Sequence, residues 1–246
     1  MGGTPEGESG EVVPGHAAAI ALAIAALFLP APTFAQAPPS PPGPYVIDIR
    51  APMSGLPSTG AFLPVLPAEA LVPRRAFGLA LGGHIYVASL GMARVGVGVD
   101  VVRVRGTAVT PAPAATTTTP TASSTAQTSV LSAADRIDVT TTMTAVAPQV
   151  SFNFGTREGW SYLSGGYGAA EVRTAASGTP LGPLTGRVTL ARADGRAGAI
   201  NYGGGARWFI RGRMAVGFDF RFHRVAAVGT RPSTKFTVLS AGLSVR

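Results

Sequence analysis

Residues 214–225, MAVGFDFRFHRV, alternate bulky apolar side chains with small or charged ones. Val216, Phe218, Phe220 and Phe222 share one face of an extended strand, and Gly217, Asp219, Arg221 and His223 share the other. The same period of two recurs along the chain. In 45–50 it sets Tyr45, Ile47 and Ile49 against Val46, Asp48 and Arg50. In 76–87 it sets Phe77, Leu79, Leu81, Ile85 and Val87 against Gly78, Ala80, Gly82, His84 and Tyr86. In 94–105 Val95, Val97, Val99 and Val101 oppose Arg94, Gly96, Gly98 and Asp100; the phase then slips at Val101–Val102, which predicts a β-bulge. A long polar strand over 136–155 ends with Val150, Phe152 and Phe154 against Ser151 and Asn153, and Pro148 inside it predicts a second bulge. Glycine-rich strands at 160–174 and 199–210 and a last one at 235–246 bring the total to eight. In 199–210, Ile200, Tyr202, Ala206 and Trp208 oppose Asn201, Gly203, Gly205 and Arg207.

The connections alternate in length. Short turns are predicted at 88–93, 156–159 and 211–213, and longer connections at 51–74, 107–135, 175–198 and 226–234. Membrane barrels have an even strand count, short periplasmic turns and longer external loops. With the first strand starting in the periplasm, every short turn falls inside and every longer loop outside. Tyr45, Tyr86, Trp160, Tyr162 and Trp208 then cluster near periplasmic strand ends, which predicts an aromatic girdle at that interface. The predicted fold is all-β: an eight-stranded antiparallel up-and-down transmembrane β-barrel over 44–246. Its 107–135 connection is a low-complexity external loop rich in Thr, Ala, Pro and Ser.

Volume decides which face meets lipid. An eight-stranded barrel has room inside only for side chains or one small ligand. The non-apolar faces are mostly Gly, Ala, Ser and Asn with a few charges, among them Asp48, Arg94, Asp100, Arg207, Asp219 and Arg221. Such a face suits a narrow lumen and lacks the dense charge of a solvated surface. The apolar face is therefore expected to point outward.

Composition adds three constraints. The chain has 246 residues with 32 Gly, 21 Pro, 13% charged residues and no cysteine, so it has neither a disulfide framework nor a thiolate site. No run of 18 apolar residues is present to span a membrane as a helix. Residues 16–37, HAAAIALAIAALFLPAPTFAQA, read as an export signal: a short apolar core, then Pro30 and Pro32, then Thr33 and Ala35 at the spacing of a processing site. The expected domains are a signal peptide at 1–35, a Pro-rich periplasmic spacer at 36–43 and the barrel at 44–246. Removing 1–35 takes away Glu6, Glu8 and Glu11 but no Arg or Lys. Nine of the 12 acidic residues then remain against 20 basic ones, a net charge of +11. A basic exported chain predicts anionic partners: outer-membrane lipid, with lipopolysaccharide as the candidate, and no nucleic acid.

The hairpin NYGGGARWFIRGRMAVGFDFRF, 201–222, resembles the penultimate hairpin of small outer-membrane β-barrel proteins, the class that includes the transmembrane domain of outer membrane protein A. The resemblance covers roughly residues 75–246 and implies a location in the cell outer membrane. The chain departs from that class in ending Val245–Arg246 rather than in an aromatic residue.

On the inward faces, Arg207, Asp219, Arg221 and His223 form a candidate lumen polar cluster, expected to be a charge-paired plug. His84 and His223 are the histidines left after residue 35, and no Ser or Asp stands at a diagnostic spacing from either. Catalytic, cofactor and metal sites are therefore not expected. The resulting picture is a monomeric, non-enzymatic barrel with a structural or surface-interaction role. The alternatives are a barrel enzyme modifying envelope lipid and a soluble, exported, lipocalin-like ligand-binding barrel. N-terminal sequencing of the protein purified from membranes should begin at Gln36; a sequence beginning upstream of residue 30 would remove the export assignment.

Overall fold

A computed structural model describes residues 43–57, 71–111, 134–180, 188–229 and 231–246. The predicted signal peptide at 1–35, most of the predicted spacer at 36–43, and the centres of the predicted connections at 51–74, 107–135 and 175–198 lie outside the described residues. Eight strands follow in order: β1 (Tyr45–Gly55), β2 (Arg75–Leu90), β3 (Ala93–Pro111), β4 (Ala134–Gly155), β5 (Gly159–Pro180), β6 (Val188–Arg211), β7 (Met214–Val225) and β8 (Thr234–Val245). Each pairs antiparallel with the next, and β1 pairs with β8 from Ile47↔Val245 to Gly55↔Thr237, closing the barrel. All three short turns lie where the sequence places them. Two turn on glycines in the left-handed region, Gly91 at φ 57° and Gly212 at φ 46°, which side-chain-bearing residues rarely occupy.

The apolar face points outward. On β7, Phe218 is 46% exposed while Asp219 beside it is 1% exposed. Ile47 and Ile49 on β1, Leu79 and Leu81 on β2, Phe152 on β4 and Leu243 on β8 are exposed in the same way. Outward residues on β7 stay apolar from Met214 to Phe222 and become basic at Arg224. The ten steps from Met214 to Arg224, at about 3.4 Å each and tilted about 40°, give a band about 25 Å high, the hydrocarbon thickness such a barrel must match. This surface belongs in lipid.

Two predicted bulges are absent. Pairing of β3 with both neighbours runs unshifted through Val101 and Val102. Val99 faces out, Val101 is half-covered, Val102 and Val104 are buried, and Arg103 and Arg105 face out. The inward row never changes parity. What changes is the medium outside, from lipid to water, so the apolar residues move to the inner row and the charges to the outer. The register shift in this hairpin lies instead at the periplasmic end, between Tyr86 and Ala88. Pro148 faces outward, and the β4–β5 register is the same on either side of it. The missing N–H interrupts the ladder to β5 without inserting a residue.

The strands are also longer than predicted. β4, β5 and β6 have 22, 22 and 24 residues, whereas about 9–11 span a bilayer. The predicted 175–198 connection is mostly strand: Ala175 pairs with Ala191 and Gly178 with Val188. Its Ala, Ser, Thr and Gly residues carry no period-two signal, because outside the membrane neither face needs large apolar groups. Inside this projecting part lies an apolar core that includes Val102, Val104, Met143, Val172, Val225 and Phe236. At the external end Val228 and Arg231 exchange backbone hydrogen bonds of 3.1 and 3.0 Å, and the Arg231 side chain is buried.

Phe218→Arg, near the middle of the lipid band, should cost about 2–4 kcal/mol in a urea unfolding titration in vesicles, whereas Arg103→Leu on the outer row should cost less than about 1 kcal/mol.

Candidate functional site

Within the lipid band the lumen is filled by an ion-pair lattice drawn from six strands. Asp48 on β1 accepts two hydrogen bonds from Arg207 on β6, Nε at 2.9 Å and Nη2 at 2.6 Å, and a third from Ser244 on β8 at 2.6 Å. The Arg207 guanidinium lies 3.9 Å from the centre of the Tyr162 ring. Tyr162 donates in turn to Asp219 at 2.6 Å. Asp219 also accepts from Arg221 Nε at 2.8 Å and pairs with Arg50 Nη1 at 3.1 Å. Arg50 reaches on to Asp100 of β3, and Arg221 donates from Nη2 to Ser164 at 2.8 Å. Three arginines and three aspartates, all buried, thus balance in charge.

The predicted cluster is brought together in part. Asp219 and Arg221 pair directly. Arg207 joins them through Tyr162, its carboxylate partner being Asp48. His223 is buried beside them, but neither ring nitrogen has a hydrogen-bond partner among the described residues. Sequence reasoning left Arg50 and Tyr162 out of the cluster altogether. Arg50 carried a legible signal, since its parity points it inward, but its height depends on the closing β1–β8 register. Tyr162 carries only its even parity on β5, which the glycine-rich segment around it makes hard to phase.

Inner-face glycines make the space. A Cβ on Gly242 would lie 2.1 Å from the Ile49 carbonyl oxygen and 2.9 Å from Arg50 Cγ, and one on Gly205 would lie 2.9 Å from the Tyr162 hydroxyl. Packing is so close that a cavity among Asp48, Arg50, Tyr162, Arg207 and Ser244 measures about 10 Å³. That is the size of one water molecule at most.

The periplasmic mouth is plugged by aromatics rather than ringed by them. Of the five predicted girdle residues, Tyr45 and Trp208 do face outward. Trp160 and Tyr162 are each 3% exposed and point into the lumen, and Tyr86 packs on Trp160 at 6.1 Å while its hydroxyl donates to Asn153 at 3.4 Å. Their even-numbered parity on β5 turns them inward. Arg246 stacks 3.8 Å from the centre of Phe209 and donates to the Gly212 carbonyl at 2.9 Å, covering this end.

The arrangement neutralises charge and excludes solvent. The imidazoles of His84 and His223 are buried, and neither hydrogen-bonds a hydroxyl or a carboxylate among the described residues. A nucleophile–base pair would need such a contact.

No protein-family model and no curated protein matches the chain. Among solved structures, the attachment invasion locus protein Ail of Yersinia pestis is similar over 81% of this chain and 97% of its own, at 14% identity and a TM-score of 0.46. Neisserial surface protein A is similar over 82% and 97% respectively, at 12% identity and 0.44. The outer membrane protease OmpT of Escherichia coli is similar over 70% of this chain and 64% of its own, at 10% identity and 0.42. These likenesses concern the fold alone.

Asp219→Ala would leave Arg50 and Arg221 without their shared carboxylate. It should destabilise the barrel by about 3–5 kcal/mol, read as a lowered urea midpoint in vesicles. A shift below about 1 kcal/mol would mean that the lattice contributes little to stability.

Proposed function

We propose that the chain is an outer-membrane β-barrel with a structural or surface-interaction role, monomeric and without enzymatic activity. The observation that carries this reading is the sealed lumen. Six balanced charges, an aromatic plug on the periplasmic side and an apolar core on the external side fill the barrel from end to end, and the outer surface is apolar over the height of a bilayer. A protein with a filled lumen and no exposed imidazole among the described residues acts through its outside. Its partners on this reading are outer-membrane lipid, with lipopolysaccharide as the candidate, and whatever its external connections meet.

The lipocalin-like alternative requires apolar residues on the inner row throughout. They occupy it beyond Asp100 and at the periplasmic mouth; between the two the inner row holds the ion pairs. The barrel-enzyme alternative requires a base next to a nucleophile, and the two histidines are enclosed instead.

The test is cell fractionation with heat-modifiability on a gel, followed by reconstitution in a planar bilayer. The expected result is a band in the outer-membrane pellet that shifts on boiling, with no steady conductance. A soluble protein without the shift would overturn the outer-membrane reading, and stable ion-conducting openings would overturn the filled lumen.

A further inference from the structure

On the outer surface the lipid band ends at a groove shared by β3, β4 and β5. Going outward along the exposed rows, Val101 is followed by Arg103, Val146 by Thr144 and Thr142, and Ala169 by Glu171 and Arg173. The register places these side by side: Arg103↔Thr144, Thr144↔Glu171 and Thr142↔Arg173. Together they line a groove of about 250 Å³, which is ample for a phosphate group.

We propose that this groove binds the phosphate of an outer-leaflet membrane lipid, held by Arg103 and Arg173 with the hydroxyls of Thr142 and Thr144; the proposal rests on the reading of the chain as an outer-membrane barrel. Three observations favour it over a merely solvated face.

The first is donor chemistry. Two planar guanidinium groups and two hydroxyls match the several acceptors of a phosphate, and arginine engages phosphate in bidentate fashion. The second is charge. Arg103 has no carboxylate partner among the described residues, Arg105 lies two residues further along its row, and Arg196 lies across from Glu171. Among the described side chains here, four arginines therefore face one acidic group. Glu171 accepts from Arg173 at 2.7 Å; that hydrogen bond, with Arg196 nearby, holds its carboxyl below the usual range, so it stays ionised and leaves an excess of positive charge. The third is height. Val101, the outward residue just inside Arg103, is only about 7 Å away along the strand, so a ligand in the groove sits where lipid headgroups begin. A soluble anion could reach it too, but only a membrane lipid is delivered to that height with its tail already in place beside Val99 and Val146.

The experiment compares binding of bisphosphoryl lipid A, and of the same lipid after enzymatic dephosphorylation, to the detergent-solubilised full-length barrel. Wild type should prefer the phosphorylated lipid by about tenfold or more, since hydrogen bonds to charged groups are the strong ones. Arg103→Ala/Arg173→Ala should abolish the preference. Arg224→Ala/Lys235→Ala, which removes the same charge from the outer row of β7 and β8, should change it less than about threefold. Thr142→Val/Thr144→Val should weaken it with the charge intact, and Glu171→Gln should strengthen it. Millimolar inorganic phosphate should compete poorly; efficient competition would make the ligand a soluble phosphate and overturn the lipid assignment. Equal losses in the two double-alanine variants, or none in Arg103→Ala/Arg173→Ala, would overturn the site in favour of diffuse charge. Heat-modifiability of every variant is read in parallel. A missing boiling shift in wild type brings down the membrane-barrel reading itself, whereas a retained shift with insensitive binding brings down this site alone.

Discussion

Inside a narrow barrel that stands in lipid, no bulk solvent is available to satisfy a polar group, and the rest of this structure follows from how that is solved. Each charge must find its counter-charge across a lumen a few side chains wide. Asp219 is the centre of the solution: Arg50, Arg221 and Tyr162 all converge on it from three different strands. Asp48 does the same at a neighbouring position for Arg207 and Ser244. The lattice joins four pairs of strands that share no backbone ladder: β1 to β3, β6 and β7, and β5 to β7. It also explains the glycines: at Gly82 a side chain would run into the Arg50 guanidinium and the Asp100 carboxylate, at Gly205 into the Tyr162 hydroxyl, and at Gly217 and Gly242 into a neighbouring backbone carbonyl and the aliphatic stem of Arg207 or Arg50.

The lattice stops at Asp100, and that boundary organises the outside as well. Beyond it the inner row becomes Val102 and Val104 and the outer row Arg103 and Arg105. One continuous strand thus serves two solvents, with lipid against its outer row in one half and water in the other. No bend or bulge is needed, because a strand presents its two faces independently. The same exchange occurs on β7 and β8, where outward Phe222 and Leu239 give way to Arg224 and Lys235. The basic rows are therefore the outer edge of the lipid band read off in charge.

Most of the fold was legible because lipid imposes a strong signal. Residues 216–222 can be read in one way only, and the three tight turns mark themselves by length and glycine. What was misread lies where that signal changes meaning or fades. At Val101–Val102 the sequence pattern does change, but the backbone geometry does not; only the surroundings change. Residues 175–180 and 188–198 look like loop in the sequence and are strand, since strands paired in water with small side chains need no alternation. Trp160 and Tyr162 lie near a strand end, which suggests the interface, but their parity turns them inward. Of the candidate cluster, the inward direction of Asp219 and Arg221 was readable from parity. Which residue sits at which height was not, since that depends on the shear of a closed sheet and on the β1–β8 seam.

A sealed interior also limits where interaction can occur. The lattice cannot open one pair at a time, because freeing Asp219 would strand both Arg50 and Arg221 in a medium that does not solvate them. The accessible chemistry is confined to the outer rows and the external end. There the strands continue well past the lipid: from Thr144 to Arg136 on β4 is eight residues, a rise of about 20 Å at the strand spacing and tilt of such barrels. An apolar core that includes Met143, Val172 and Phe236 fills this projection, so its outer surface is held as firmly as that of a soluble barrel. Side chains on it, Arg103 and Arg173 among them, are positioned by paired backbone rather than by loops. Positions of that kind favour a defined contact over diffuse attraction, since the entropy of arranging the donors has already been spent in folding.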